Sequence, residues 1–434
     1  MGNCGASFIA AGDFFITRHL PRGGYEGFDA LRARIAERDV RFLNLEMTFH
    51  DAEGAPAAES GGTWAMAEPS MLDDARAFGF NLFNTANNHS GDYGEGGVTA
   101  TAAHLRERGM AFAGTGANLG EASRACYLET PRARVALVGA ASTFAPAARA
   151  GGQSGELRGR PGLNPLRFDR YCHVDAERFR RVQELAEATH VNARQNKEIR
   201  DGYQKPYPAG VLPLGKNLKF VQDERCFVES VPNAEDERRI LAEVAEAKRQ
   251  ADIVLVSLHS HEYDGEDPAV PSMFQETFSR KCVDAGASAV VGHGHHELRG
   301  AELYRGGLIL YGLGNFLFET ETIPLQPADA YAGKGLPADV KVGGYMDFRS
   351  RGGTSGYGTI ENVWRSVLAG WTVEDGKLTG AEFYPIELGM ALPRSRKGTP
   401  RLSGDEGTLR HLAELSEPYG TRIEIENGAG RIRL

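Results

Sequence analysis

The chain has 434 residues but few cysteines, and they follow no linking pattern. There are five, an odd number, and none is spaced as in a Cys-x-x-Cys motif. A disulfide framework or a thiolate zinc site is therefore not expected. Because unpaired cysteines are typical of reducing compartments, we predict a cytoplasmic protein.

Long apolar runs and an excess of positive charge are also missing. No stretch approaches the roughly 18 apolar residues of a membrane-spanning helix, and residues 1–15 lack the basic and apolar regions of a signal peptide. The formal net charge is −9, whereas nucleic-acid-binding proteins present basic surfaces. Neither a membrane nor a nucleic acid is expected as a partner, and the oligomeric state is left open.

What the chain does contain is a regular alternation of short apolar runs with amphipathic segments. Such alternation predicts crossover connections, a mostly parallel sheet and the α/β fold class. The predicted strands are 7–13, 40–46, 80–89, 110–116, 134–142, 251–264, 287–297 and 308–316, and the predicted helices between them are 28–38, 70–79, 97–109, 234–250 and 273–286.

Two stretches interrupt the alternation. Residues 145–235 are rich in Gly, Pro and Arg around one polar helical pattern at 175–203, and residues 320–360 are rich in Gly, Pro and Asp. We predict an α/β domain in two parts, 1–144 and 236–434, separated by an inserted cap over 145–235. The second part should contain an irregular loop over 320–360 and C-terminal strands.

Polar side chains stand at the ends of five predicted strands. Each has an ordinary explanation alone, because a strand-end Asp often caps a turn and a single buried His is usually hydrogen-bonded. In open α/β sheets, however, ligands bind at the carboxyl ends of the strands, so the whole set predicts one convergent site. The set is Asp13, Asn44, Glu46, Asn88, His89, Asp92, His259, His261, His293, His295 and His296.

These side chains offer oxygen and imidazole donors without thiolate. Strand alternation would place His293 and His295 on the same face of an extended segment. Such donors suit a divalent ion, with Ca, Mn, Zn, Fe and Mg all left open. We therefore predict a metal site.

Six motifs occur in the order found in one bacterial family. They are GD at 12–13, NLE at 44–46, NNHSGDYG at 87–94, LHSHEYD at 258–264, GHGHH at 292–296 and YGLGNFLFE at 311–319. The chain resembles the CapA-like family of poly-γ-glutamate capsule synthesis proteins over residues 7–140 and 240–320. The resemblance implies the calcineurin-like metallophosphatase fold, a two-sheet α/β sandwich, here with a large inserted cap.

The resemblance also implies roles for single residues. Glu46 matches the residue that bridges two metals in the wider superfamily, and His89 matches its conserved acid, which Asp92 would orient. The metal ligands that it implies are Asp13, Glu46, Asn88, His259, His293 and His295.

One departure from the family pattern bears on function. Superfamily phosphatases carry Asp-x-His in the first motif, whereas this chain has Phe15 two residues after Asp13. A weakened first metal position resembles the anchorless CapA-like peptide epimerases of lasso-peptide gene clusters. These invert the Cα of the C-terminal residue of a ribosomal precursor peptide, which would be the substrate here.

An epimerase needs an acid and a base. The predicted catalytic pairs are His89 with Asp92 and Asp13 with His295. Four arginines in the predicted cap could bind a C-terminal carboxylate through bidentate hydrogen bonds. They are Arg158, Arg160, Arg167 and Arg170.

Two alternatives remain open. The protein could be a capsule-type polyglutamate synthesis factor or a metallophosphoesterase-type hydrolase, with His89 as general acid. It could also be a non-catalytic binding scaffold, because a fold does not fix a function.

Overall fold

The computed structural model covers residues 4–337 and 339–434. Its first part alternates strands with helices, as the apolar pattern predicts. The elements are β1 (Gly5–Phe15), α1 (Phe28–Ala36), β2 (Val40–Leu45), β3 (Thr48–Phe49), β4 (Met66–Ala67), α2 (Leu72–Ala77), β5 (Leu82–Asn84), α3 (Gly94–Glu107), β6 (Ala111–Ala113), β7 (Thr115–Gly116), α4 (Leu119–Ser123), β8 (Cys126–Glu129) and β9 (Arg134–Ala141).

The middle of the chain is more ordered than its composition indicates. Its elements are β10 (Gly162–Leu163), β11 (Phe168–Val174), α5 (Ala176–Thr189), α6 (Ala193–Arg200), β12 (Val211–Leu214), β13 (Leu218–Gln222) and β14 (Phe227–Pro232). The Gly- and Pro-containing stretch 207–220 is not irregular, because a turn at Gly215, with φ of 66°, folds β12 back onto β13. The single helical pattern at 175–203 is two helices, since His190 adopts a left-handed φ of 52°.

The last part returns to the α/β alternation. Its elements are α7 (Ala234–Gln250), β15 (Ile253–Ser260), α8 (Met273–Asp284), β16 (Ala289–Gly294), β17 (Leu298–Tyr304), β18 (Gly307–Leu313), β19 (Asn315–Phe318), α9 (Ala328–Ala332), α10 (Val342–Arg349), β20 (Arg365–Glu374), β21 (Lys377–Glu387), β22 (Arg401–Leu402), α11 (Glu406–Ser416), β23 (Ile423–Glu426) and β24 (Ala429–Ile432). Residues 320–360 are not wholly irregular, because they contain the helices α9 and α10. Tyr331 of α9 packs against Tyr345 of α10 with ring centroids 5.2 Å apart.

Two large sheets form the centre of the molecule. The first runs β23-β24-β21-β20-β1-β2-β5-β6, with β19 also paired to β1 and β22 to β21. The second runs β17-β18-β16-β15-β9-β8. Phe8 and Phe42 of the first sheet share one buried cluster with Leu137, Leu255 and Val291 of the second. The sheets therefore pack face to face, and the α/β class is confirmed.

Helices cover the outer faces of both sheets. Leu31 of α1 and Leu72 of α2 pack against the first sheet, while Ile240 of α7 and Phe278 of α8 pack against the second. Burying these apolar faces is the main source of stability in such layers. Within the residues covered, no helix is both long and apolar enough to cross a bilayer.

A separate four-stranded sheet, ordered β12-β13-β11-β14, lies in the middle of the chain. The segments that lead into and out of this sheet lie next to each other. Phe168 pairs with Pro232, and the Asn233 N–H donates to the Arg167 carbonyl at 2.7 Å. Phe168 also stacks on Phe274 of α8, with ring centroids 4.5 Å apart. This sheet is thus joined to the sandwich at a narrow neck beside α8.

Candidate metal centre

Both sheets of the sandwich contribute to one buried polar centre. Asp13 lies near the carboxyl end of β1 and Glu46 directly follows β2, its parallel neighbour in the first sheet. His259 and His293 pair with each other across β15 and β16 in the second sheet. All four side chains are fully buried. Because the carboxyl ends of these strands meet at one edge of the sandwich, the four converge.

The first group of donors joins Asp13 to two imidazoles. Its Oδ1 lies 3.9 Å from His259 Nδ1 and 3.7 Å from His293 Nδ1. The two Nδ1 atoms are only 3.0 Å apart. Three donor atoms this close to one another can contact the same cation.

Glu46 joins two further groups. Its Oε1 lies 3.8 Å from His259 Nε2 and 3.9 Å from His261 Nε2, and its Oε2 lies 3.8 Å from His296 Nδ1. The Nδ1 atom of His296 is also 3.7 Å from Asp13 Oδ2. The carboxylate of Glu46 therefore faces imidazoles on both of its oxygens.

The Glu46 carboxylate has no protein partner that would explain its burial. Both oxygens are inaccessible to solvent, and neither has a hydrogen-bond donor among residues 4–337 and 339–434. Burial raises the pKa of Glu46 well above its ordinary value, and the negative charges of Asp13 and Asp92 add to the rise. A buried ion without a partner is strongly unfavourable. A bound cation would supply the missing partner, so the residues fit a metal ion.

The imidazoles at the centre are in the form that binds metal. Burial lowers the pKa of His293 to about 3 and that of His296 to about 4. It lowers the pKa values of His259 and His261 well below the ordinary value, with neighbouring imidazoles adding to the effect. These rings are therefore neutral at neutral pH and keep a lone pair for a cation.

Hydrogen bonds hold the donors of the first group in place. Asn44 Nδ2 donates to Asp13 Oδ1 at 2.7 Å, and the Gly294 N–H donates to Asp13 Oδ2 at 3.0 Å. Ser257 Oγ lies 2.7 Å from Nε2 of His293. Burial nevertheless raises the pKa of Asp13 to about 7, against these two donors. Partners of this kind fix the orientation of metal ligands.

Asn88 also reaches the centre, as predicted. Its Oδ1 lies 2.8 Å from His259 Nε2, and its Nδ2 donates to the Gly61 carbonyl at 2.7 Å. Because the amide nitrogen is committed to Gly61, the amide oxygen is the atom that faces the imidazole.

His89 and Asp92 form the predicted pair. His89 Nδ1 lies 2.7 Å from Asp92 Oδ2, and the Asp92 carboxylate also accepts from the N–H groups of Gly61 and Ala65 at 2.8 Å each. Phe15, two residues after Asp13, packs edge-on against the His89 ring at 5.4 Å. The carboxylate holds the imidazole by one nitrogen and leaves Nε2 for other contacts.

His295 is not brought to the donor groups, and His296 takes its place. Both ring nitrogens of His295 are buried without a partner among the residues covered, and its ring lies against Gly312. The predicted pairing of Asp13 with His295 is accordingly not formed. The cause is a backbone change at the strand end, where Gly294 has a φ of 119° and His296 a φ of 70°. Alternation of faces stops where the extended conformation stops.

The four predicted arginines are not brought together at the centre. Arg167 Nε is bound to Asp236 Oδ2 at 2.7 Å. The other three, Arg158, Arg160 and Arg170, are exposed on the surface. Arg167 thus has a clear structural partner at the neck of the four-stranded sheet.

Tyr357 lies beside the centre although no motif marks it. Its ring packs edge-on against His296 at 5.0 Å and against Phe318 at 5.4 Å. Burial raises the pKa of its phenol to about 12, and the charges of Glu46 and Asp13 add to the rise. His261, which was in the predicted set but not among the implied ligands, also belongs to the centre.

Comparison with known proteins identifies the family of the chain. Residues 7–320 match the family described as bacterial capsule synthesis protein PGA_cap. The chain belongs to this family. The CapA-like resemblance is therefore confirmed, and the family match contains every donor residue of the three groups.

Relatives of the chain differ in how much of it they cover. The protein named "Uncharacterized protein y4sH" of Sinorhizobium fredii is 34% identical over 450 residues, covering 99% of this chain and 93% of that protein. The "Capsule biosynthesis protein CapA" of Bacillus anthracis is 26% identical over 254 residues, 58% of this chain and 44% of that protein. A "Probable polyglutamine synthesis accessory protein" of Mycobacterium tuberculosis is 26% identical over 387 residues, 89% of this chain and 74% of that protein.

Proposed function

We propose that this member of the family is a metal-dependent peptide epimerase. It would invert the Cα of the C-terminal residue of a ribosomal precursor peptide by exchange of a proton. The observation that carries the proposal is a pair of separately held imidazoles, His89 beside the donor groups and His296 within one of them. A two-sided proton exchange requires two such groups.

Each of the two imidazoles has a defined proton position. Asp92 accepts hydrogen bonds only, so His89 carries its proton on Nδ1. Nδ1 of His296 lies 2.9 Å from Asn315 Oδ1, and Asn315 Nδ2 donates to the Val363 carbonyl at 3.0 Å. The oxygen end of Asn315 therefore faces His296, which also carries its proton on Nδ1. Both rings present Nε2 to a substrate.

The donors that would hold the ion are Asp13, Glu46, His259 and His293, with the amide oxygen of Asn88 beside them. The chemistry that a bound divalent ion supplies is Lewis-acid stabilisation of negative charge on a substrate carbonyl, which makes the adjacent Cα–H more acidic. The calcineurin-like metallophosphatase fold expected of the family is part of this proposal.

The proton steps belong to the two histidines. Nε2 of His296, neutral because of its burial, takes the Cα proton. His89, held by Asp92 at Nδ1 and carrying a second proton on Nε2 at this step, returns that second proton to the other face of the same carbon. One proton leaves and one arrives, so the net change is inversion of configuration. The reverse reaction uses the same two groups with their roles exchanged.

Phe15 favours an epimerase over a hydrolase. It places an apolar ring against His89 where the superfamily has a metal ligand. A centre with one weakened position is less suited to activating water between two ions, whereas stabilising a carbanion needs a single cation. We further propose that the protein acts in the cytoplasm on the peptide, without a nucleic-acid or membrane partner.

Membership of the capsule synthesis family favours a second candidate. The relatives from Bacillus anthracis and Mycobacterium tuberculosis are named for capsule biosynthesis and polyglutamine synthesis. Under this reading the same centre assists polyglutamate assembly or hydrolyses a phosphoester, with His89 as general acid.

Deuterium exchange separates the two candidates. Metal-loaded protein is incubated in deuterium oxide with the precursor peptide encoded beside its gene, and in parallel with p-nitrophenyl phosphate. We expect deuterium and inverted configuration at the C-terminal residue, detected by mass spectrometry and chiral analysis. The signal should be lost in His89→Gln and retained in His104→Gln, a half-buried histidine of α3 outside the donor groups. Phosphoester turnover above about 1 per second without Cα exchange would instead establish the hydrolase.

A further inference from the structure

A cavity of about 280 Å³ opens beside the metal centre. Tyr357 forms the wall between them, because it lines the cavity while its ring packs on His296 at 5.0 Å. Met346 and Ile360 give the cavity an apolar side, and Thr320 adds a hydroxyl. The volume is below the roughly 300–1,000 Å³ of pockets for drug-sized ligands, so it fits about one amino-acid residue.

The acidic groups near the cavity are already neutralised. Glu321, which lines it, lies 3.2 Å from Lys397 Nζ and 3.5 Å from Arg394 Nε. Arg394 also binds Asp347 at 2.6 Å. The two carboxylates, Glu321 and Asp347, are thus balanced by the two cations, Arg394 and Lys397, and this network has no net charge.

Arg349 is the cation that remains. It lines the cavity half-buried, and across residues 4–337 and 339–434 its guanidinium has no carboxylate or carbonyl partner. Burial raises the pKa of Tyr357, and the positive charge of Arg349 opposes that rise. The guanidinium therefore acts on the same phenol that contacts the centre. An unpaired guanidinium in a small cavity is suited to bind a carboxylate by two parallel hydrogen bonds.

We propose that this cavity binds the C-terminal residue of the substrate peptide, with its α-carboxylate on Arg349 and its side chain against Met346 and Ile360. The inference rests on the proposed function and names the group that positions the reacting residue. The carboxylate would lie beside Tyr357, at the boundary of the cavity and the metal centre, so that it stays within reach of the ion while the adjacent Cα is placed toward His296. Arg349 takes the role predicted for the arginines of the 145–235 stretch.

Two peptides and three variants test the inference. The peptides share one sequence and end in a free acid or an amide, and the variants are Arg349→Gln, Arg349→Lys and the exposed neighbour Arg351→Gln. For wild type and Arg351→Gln we expect KM for deuterium exchange to be about 10–100-fold lower with the acid, since hydrogen bonds to charged groups contribute that much. Arg349→Gln should remove the preference, and Arg349→Lys should restore part of it.

Several outcomes would overturn the inference. They are an equal KM for acid and amide in wild type, the same preference in Arg349→Gln, or its loss in Arg351→Gln. A guanidinium would also bind phosphate. Inorganic phosphate that binds in an Arg349-dependent manner, without any preference for the acid peptide, would make this a phosphate site instead.

Failure of the proposed function gives a different result. If wild type exchanges neither peptide, calorimetric titration of both peptides still measures the preference for the acid. An acid preference that Arg349→Gln abolishes then supports the cavity assignment while the epimerase proposal falls. Equal binding of both peptides overturns the cavity assignment as well.

Discussion

At the scale of single residues, Glu46 and Asp13 determine how the centre binds a cation. Both are fully buried, yet Asp13 receives two hydrogen bonds and Glu46 none among the residues covered. Burial is the first cause of the raised pKa of each carboxyl. Without a cation each carboxyl therefore tends to keep its proton. Metal binding and deprotonation must then occur together.

Metal affinity should rise with pH because of these two carboxyls. The pKa of Asp13 is raised to about 7, so below that pH a proton competes with the ion, and above it the competition is lost. We expect affinity to rise about tenfold per pH unit for each proton released, between about pH 6 and pH 7. Calorimetry in two buffers of different ionisation enthalpy counts the protons, and Glu46→Gln should release fewer. Binding without proton release would contradict this.

Disturbing the His89–Asp92 pair should lower the rate of proton exchange without removing the bound metal. Replacing Asp92→Asn keeps the size of the side chain but allows it to donate to Nδ1, which favours the wrong tautomer of His89. Proton exchange should slow by roughly 10²–10⁴-fold, while bound metal measured by elemental analysis stays unchanged. The exposed Asp51→Asn is the matched control. A variant that loses its metal would show that Asp92 supports the ligands instead.

At the scale of elements, strand ends explain what could be predicted and what could not. Asp13 interrupts the apolar run of β1 and Glu46 directly follows that of β2, so local sequence marks both, and both reach the centre. His296 was in the predicted set but not among the implied ligands, because the pattern of alternation does not show where β16 stops being extended. Tyr357 and Arg349 belong to a stretch whose position depends on packing between elements distant in sequence. The strands of the middle sheet were missed because only half of their surface is buried, so their apolar pattern is weak.

Gly294, at the end of β16, should be sensitive to the smallest side chain. A Cβ there would lie 3.0 Å from His259 Nε2 and from the Ser260 nitrogen, at a φ of 119°. Gly294→Ala should weaken metal binding at least about tenfold and destabilise the protein by about 1–3 kcal/mol. Gly265→Ala is the matched control, because it has a φ of 70° but an open surrounding. Equal metal affinity in both variants, measured by calorimetry, would contradict the expected crowding of His259.

At the scale of the whole molecule, the centre depends on two distant parts of the chain. Asp13 and Glu46 belong to the first sheet, and His259 and His293 to the second. The four-stranded sheet lies between these parts in sequence but contributes no donor to the three groups found within the residues covered. The sandwich, rather than the middle sheet, positions the metal donors. We therefore propose that the middle sheet, β12-β13-β11-β14, is an insertion that binds the substrate peptide.

Removing the middle sheet tests this division of roles. Phe168 pairs directly with Pro232, so a Gly-Ser linker can replace residues 169–231 as a two-residue hairpin turn. Phe168 stays stacked on Phe274, while the hydrogen bond from the Phe274 N–H to Ser230 Oγ is lost. We expect the shortened protein to fold and to bind metal within about threefold of wild type, because every donor of the three groups lies on, or just beyond the end of, a strand of the two large sheets.

The same shortened protein should lose affinity for a long substrate more than for a short one. If the middle sheet binds the precursor chain, KM for the full precursor should rise by at least about tenfold, while KM for a peptide of its last few residues should change little, since that end would bind near Arg349 in the 320–360 stretch. Deuterium exchange with both peptides measures the difference. A folded protein without metal would show that the middle sheet shapes the centre itself, and equal changes in KM for both peptides would show that it does not bind the precursor chain.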